Sequence, residues 1–180
     1  IVNSHNDWDP LEEIIVGHAH HSRIATDISA RSFSYANFPK EDVEKLEGTY
    51  PQWVIDEANE DADGLAKALE DLGVIVHRPK IIDWDKKNYD IGQGWNTKGW
   101  YSWCPRDLIL PLGDMLIETP TPVRARYFEP RLYEAIMYEA FEAGALWMSA
   151  PKPKLHDAMY TFAAIDNTPT LLDHDICIAA

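Results

Sequence analysis

Two stretches of the chain are built to one plan. Residues 69–80, "LEDLGVIVHRPK", and residues 141–152, "FEAGALWMSAPK", each run from a helix end through a glycine into an apolar strand that stops at Pro–Lys. The glycines, Gly73 and Gly144, stand 71 positions apart. Glycine just past a helix end takes the left-handed backbone that terminates the helix. A short apolar run bounded by Gly and Pro then reads as a buried strand. A helix that hands over to such a strand returns the chain to a sheet. The pattern excludes all-helical and all-β folds, and it predicts an α/β chain that uses a strand–strand–helix–strand unit at least twice.

The rest of the chain fits around these anchors. "LEEIIVG" (residues 11–17) reads as a short strand ended by glycine. The polar stretch from His18 to Lys40 reads as irregular, and "PKEDVEK" as a proline-led, acidic helix start. Val54, Ala58, Ala62, Leu65, Leu69 and Leu72 recur at helical spacing before Gly73. Residues 108–112 and 115–118 are two strand-like runs around Gly113–Asp114, a hairpin signal. Residues 131–141 are amphipathic before Gly144. "TLLDHDICIAA" (residues 170–180) reads as a third unit begun and not completed. No linker or low-complexity stretch interrupts the chain, so residues 1–180 read as part of one domain.

Charge narrows the function. With 30 acidic against 16 basic side chains the formal net charge is −14. That argues against nucleic-acid binding and against docking on anionic membranes, both of which need clustered cations. The two cysteines, Cys104 and Cys177, make neither a disulfide framework nor a zinc pattern. No apolar run reaches bilayer length and no signal-peptide core precedes the first strand, so a cytoplasmic setting is expected.

Several side chains could carry chemistry. His18, His20 and His21 form a histidine cluster, but without a carboxylate or cysteine at metal spacing they read as a loop rather than a metal site. Cys104 reads as a buried thiol more readily than as a nucleophile, since a reactive thiolate needs a helix N-terminus, a histidine or a cation beside it. Asp107 opens the apolar run "LILPL" at a strand end, where open α/β folds commonly build sites. It could grip a planar donor such as a guanidinium, or it could serve a turn cap or a salt bridge to Arg106. Arg124, Arg126 and Glu129 in "VRARYFEPR" could clamp a substrate carboxylate, or pair internally and tie the hairpin to the next helix. The four tryptophans from Trp84 to Trp103 could line a cleft or fill a core.

Five blocks together resemble the amidinotransferases of the guanidino-group-modifying (pentein) superfamily. They are "NDWDPLEEIIVG" (6–17), "VHRPKIIDW" (76–84), "YSWCPRDLIL" (101–110), "GDMLIETPTPVRARYFEPRLY" (113–133) and "GALWMSAPKPKLHDAMY" (144–160). The match is collinear from Asn6 to Tyr160, and it covers the N-terminal half of a family member. The resemblance implies a five-bladed α/β propeller of ββαβ modules, of which two to three are present here. It implies transfer of the amidino group of L-arginine to an amine acceptor through an amidino-cysteine, with release of ornithine and no metal or organic cofactor. It allows a homodimer.

Carried over by position, Asp107 falls on the family carboxylate that grips the arginine guanidinium, and Arg106 and Tyr101 fall on the same motif. Cys104 does not fall on the nucleophile; that cysteine and the proton-shuttling histidine are expected beyond Ala180. The family pattern has an Asp before an Ala–Ala pair, where this chain has Ile178 before Ala179–Ala180. Two other readings stay open. One is a guanidine hydrolase that uses water as the acceptor; the other is a non-catalytic half-length binding protein.

Overall fold

The computed structural model describes residues 2–86, 89–92, 95–153 and 155–160. The chain runs β1 (Glu13–Ile15), β2 (Arg23–Ile24), α1 (Ile28–Ser34), α2 (Lys40–Glu44), β3 (Gly48–Thr49), α3 (Gln52–Asp71) and β4 (Ile75–His77). It continues with β5 (Tyr89–Gly92), β6 (Trp95–Thr97), β7 (Ile109–Leu112), β8 (Met115–Glu118), α4 (Glu134–Glu142) and β9 (Leu146–Ser149).

Both copies of the repeated device form as their sequence demands. Gly73 and Gly144 hold φ of 88° and 103° at the ends of α3 and α4, values at which a Cβ is strained. Each following strand pairs in parallel with a strand before its helix: β4 with β1, and β9 with β8. The hairpin β7–β8 turns at Gly113, φ 60°, with Leu112 opposite Met115. The second copy is therefore a complete strand–strand–helix–strand unit. The first has only its outer parallel pair. Among the described residues the strands make four separate small sheets, one of three strands and three of two.

Some details depart from the sequence reading. The stretch from His18 to Lys40, irregular by its sequence, contains β2 and α1, and Asp27 caps α1 by accepting from the Ser29 and Ala30 amides at 2.9 and 3.4 Å. The hairpin β5–β6 is a further element beyond the sequence expectation. In α3 the inward line is Ile55, Asn59 and Ala66, while Leu65 and Leu72 face out. A polar residue lies on the buried line because Asn59 Oδ1 accepts the Ala19 amide at 2.8 Å. Helix α4 begins three residues later than the apolar pattern suggests, since Pro130 sits in a 3₁₀ turn at Glu129–Leu132. The apolar segment 170–180 lies outside the described residues.

The main core gathers Trp84, Leu108, Ile109, Leu116, Leu132, Tyr133 and Met137 between α4 and one face of the β7–β8–β9 sheet. A second cluster joins Trp100, Val123 and Ala125 to Ala25 and Ala30 beside α1. Trp84 and Trp100 are thus core residues, while Trp103 is partly exposed. No helix among the described residues is long and apolar enough to cross a membrane.

Candidate active site

The segment 101–107 is pinned on three sides before it reaches Asp107. Gly17 packs so closely that a Cβ there would lie 2.4 Å from Ser102 O and Trp103 Cα, so only glycine fits. The His18 amide and the Tyr133 hydroxyl both donate to the Ser102 carbonyl, at 3.3 and 3.1 Å. A 3₁₀ turn, Pro105–Asp107, then closes through the Leu108 amide to Pro105 O at 3.0 Å. Thr119 Oγ1 donates to the Asp107 carbonyl at 2.8 Å, which ties the turn to the end of the hairpin.

Arg126 organises the charges around this turn. Its Nε and Nη2 donate to both Glu129 oxygens at 2.6 and 2.9 Å. Nη2 also reaches Cys104 O at 3.0 Å, and Nη1 donates to Asp107 Oδ2 at 2.6 Å. The guanidinium lies 4.9 Å from the Tyr101 ring centre, within cation–π range. Arg126 and Glu129 are both buried. The Asp107 side chain keeps 46% of its surface exposed, and among the described residues its Oδ1 makes no hydrogen bond.

Burial pushes the Glu129 carboxyl up, to about 7, and Arg126 pulls against it. Both Glu129 oxygens accept N–H groups from Arg126, which is the geometry of a carboxylate rather than an acid. Arg126 resists burial because the Glu129 and Asp107 carboxylates hold its proton, and its pKa lies above the ordinary arginine value. With Glu129 ionised, Arg126, Glu129 and Asp107 sum to one negative charge. Of the two carboxylates on Arg126, Glu129 is buried and Asp107 is the exposed one.

The Tyr101 hydroxyl is pushed up to about 12, chiefly by burial and against the pull of Arg126, so it stays protonated. Its ring stacks on Trp103 at 4.9 Å between centres and 15° between planes. Arg106 is exposed on the turn and makes no ion pair among the described residues. Burial raises the Cys104 pKa; Arg126 opposes this, while Asp107 and Glu129 add to it. That is the environment of an inert thiol.

The structure separates the alternatives left by the sequence. Asp107 pairs with Arg126, not with Arg106. Arg126 and Glu129 form an internal pair, so the clamp reading fails for Arg126, which spends four of its five N–H donors inside the protein. Arg124 is likewise engaged, donating to Leu155 O at 2.7 Å and to Asp157 at 2.5 Å. The Arg126–Glu129 bracket is the internal ion pair that "VRARYFEPR" offers, whereas no local signal marks the role of Gly17.

The histidines do not converge on a metal. His18 is buried, with Nε2 3.4 Å from Lys80 O. His20 reaches Asn59, and His21 pairs with Asp83 at 3.7 Å. Among the described residues no three His, Cys, Asp or Glu side chains are arranged to hold a metal ion. Two surface clefts of about 240 and 420 Å³ meet at Arg131 and Glu134; neither is lined by Tyr101, Arg106 or Asp107.

The mixed α/β framework is shared with solved structures. The inosamine-phosphate amidinotransferase of Streptomyces griseus superposes with a TM-score of 0.83 at 39% identity, over 91% of this chain and 47% of that one. An amidinotransferase of the saxitoxin pathway from Microseira wollei gives 0.75 at 35%, over 89% and 45%. In sequence, inosamine-phosphate amidinotransferase 1 of Streptomyces glaucescens is 41% identical over 161 residues, 89% of this chain and 46% of its own length. The mitochondrial glycine amidinotransferase of Xenopus laevis is 36% identical over 164 residues, 88% and 37% respectively. No family model matches the chain. Over the stretch that it spans, this chain is similar to amidinotransferases, which are transferases. It spans about half the length of the relatives it matches, or less.

Proposed function

We propose that this chain is the N-terminal, arginine-gripping half of one amidinotransferase domain, a five-bladed α/β propeller of ββαβ modules. In this reading Asp107 accepts N–H donors from the guanidinium of L-arginine. The observation that carries it is the placement of Asp107: a buried Arg126–Glu129 pair holds Oδ2 of its carboxylate and leaves the side chain partly open to solvent. A substrate guanidinium matches the carboxylate plane. Fixing that plane fixes the electrophilic carbon for attack.

A cysteine outside this chain then adds through sulfur to the guanidinium carbon. The bond to the departing nitrogen breaks, a histidine supplies that nitrogen's proton, and ornithine leaves. The amidino group on sulfur passes to an amine. Arg106 and Tyr101 act as neighbours of the grip: Arg106 is exposed beside Asp107, and the Tyr101 ring backs Arg126. Neither step calls for a metal or organic cofactor, and the setting is cytoplasmic.

The test is a product assay on the protein at the length of its relatives, supplied with L-arginine and an amine. Ornithine together with a new guanidino compound is the expected outcome. Citrulline instead would make it a guanidine hydrolase, and no arginine consumption would leave a binding protein.

A further inference from the structure

Four aromatic side chains gather beside the turn that carries Asp107, and the charge cluster uses only one of them. Arg126 lies against the Tyr101 ring at 4.9 Å, and Trp103 stacks on the same ring at 4.9 Å and 15°. Arg126 is buried, but Trp103 is 37% exposed. Tyr50 meets Trp103 at 6.3 Å with its ring tilted by 49°, a contact that borders the indole and does not cover it as a parallel stack would. Tyr35 completes the group. Burial pushes its hydroxyl pKa up, and the Tyr50 and Tyr101 hydroxyls add to the rise, which puts the three phenol tips in one neighbourhood.

The indole is fixed from its backbone. A Cβ on Gly17 would lie 2.4 Å from Trp103 Cα, and the Ser102 carbonyl accepts from the His18 amide and the Tyr133 hydroxyl. An aromatic plate held in this way loses little freedom when something lands on it. The residue types then limit what lands. None of the four carries a carboxylate, ammonium or guanidinium. Arg126, the cation against this wall, already donates to Glu129 and Asp107. The wall therefore offers ring faces and hydroxyl tips, and its own cation is taken. An uncharged body the size of a ring lies flat on such a face.

We propose that Trp103, bordered by Tyr50 and Tyr35, is a specificity-determining plate for the amine acceptor. The acceptor it selects carries its amine on an uncharged, ring-sized body and not beside a carboxylate. The proposal rests on the amidino-transfer reading above and names the acceptor class within it.

The test uses the protein at the length of its relatives, with cyclohexylamine and glycine as acceptors. Ornithine released from L-arginine with no acceptor present measures the first half-reaction, and guanidino product measures the second. The wild type should use cyclohexylamine with a higher kcat/KM than glycine. Trp103→Leu keeps apolar bulk and loses the plate. It should lower kcat/KM for cyclohexylamine by about tenfold or more, the scale of lost apolar contact in a pocket, and leave the glycine value and the ornithine burst unchanged. Trp103→Phe should recover most of the loss. Tyr50→Leu, which removes only the border, should give a smaller loss confined to cyclohexylamine, and it carries the comparison if Trp103→Leu does not fold. A wild-type preference for glycine overturns the proposal, and so does a loss shared by both amines. If the wild type releases no ornithine, the arginine reading fails, and cyclohexylamine binding by saturation-transfer NMR judges the plate separately. Binding lost in Trp103→Leu and kept in Trp103→Phe supports it; equal binding in all three proteins, or in none, overturns it.

Discussion

Arg23 and Arg126 are both buried guanidiniums, each facing two carboxylates, and the difference between them separates a brace from a candidate site. Arg23 pairs with Asp85 and, at 3.8 Å, with Glu47. Both partners are about half exposed. Asp85 is held from its other oxygen by Thr49, so the cluster laces β2 and β3 to the turn at Trp84–Lys86. Arg126 has one partner of each kind: Glu129 is buried and Asp107 is open. A buried carboxylate cannot rehydrate when its cation is lost, whereas an exposed one can. The Arg126 cluster is thus rigid where it meets the core and open where it meets solvent. A ligand grip needs both properties.

The largest expected effect follows from that asymmetry. Arg126→Met strands Glu129 in the core and should lower unfolding free energy by about 3–5 kcal/mol. Urea titration of the 180-residue chain measures it. A loss below about 1 kcal/mol would show that Glu129 is protonated and the bracket unimportant.

Next comes His18, which is bridged to Ser102 and whose Nδ1 has no partner among the described residues. Burial depresses its pKa to about 4, against a weaker opposing pull from the Lys80 carbonyl. Folded His18 therefore stays neutral while the unfolded chain takes up a proton below about 6.5. Stability should be full above that value and fall as pH drops towards 4, by at most about 3 kcal/mol. His18→Gln should flatten that part of the profile; an unchanged slope would place the acid-sensitive group elsewhere.

Asp107→Asn tests the exposed arm of the comparison. It removes a charge and acceptor capacity from the open side while Glu129 still holds Arg126. In the protein at relative length, kcat/KM for arginine should fall by the equivalent of about 2–3 kcal/mol, as for other charge-assisted bonds. The urea midpoint of the chain should move little. Wild-type kinetics in this variant would remove Asp107 from the site.

How much of this was legible depended on whether the signal was local. Gly73, Gly144 and Gly113 end their elements through their own backbone, so the repeat and the hairpin were readable from sequence. Asp107 stood out because a carboxylate opened an apolar run. The choice between grip and salt bridge turned on Arg126, 19 positions away, and no local pattern ranks it above Arg106. Gly17 looked like a strand end, yet its demand comes from Ser102 and Trp103, 85 residues on or more. The phase of α3 slipped because Asn59, polar by type, is buried by its bond to Ala19. Residues 161–180, which include the expected third unit and the position of the family Asp, lie outside the described residues.

The smallest expected effect closes the comparison from the other side. Arg23→Met keeps an aliphatic stem in the buried position and releases Asp85 and Glu47 to water. Both carboxylates recover hydration, and Thr49 still holds Asp85. The loss should stay near about 1 kcal/mol, in the range of exposed ion pairs. Salt supplies the sharper measurement. In a double-mutant cycle the Arg23–Asp85 coupling should shrink as ionic strength rises, because its partner is open to counterions. The Arg126–Glu129 coupling should hardly change. If Arg23→Met proved as costly as Arg126→Met, or if both couplings screened alike, exposure of the partner carboxylate would not be what distinguishes the two clusters. The claim that Asp107 is presented rather than locked would then lose its physical basis.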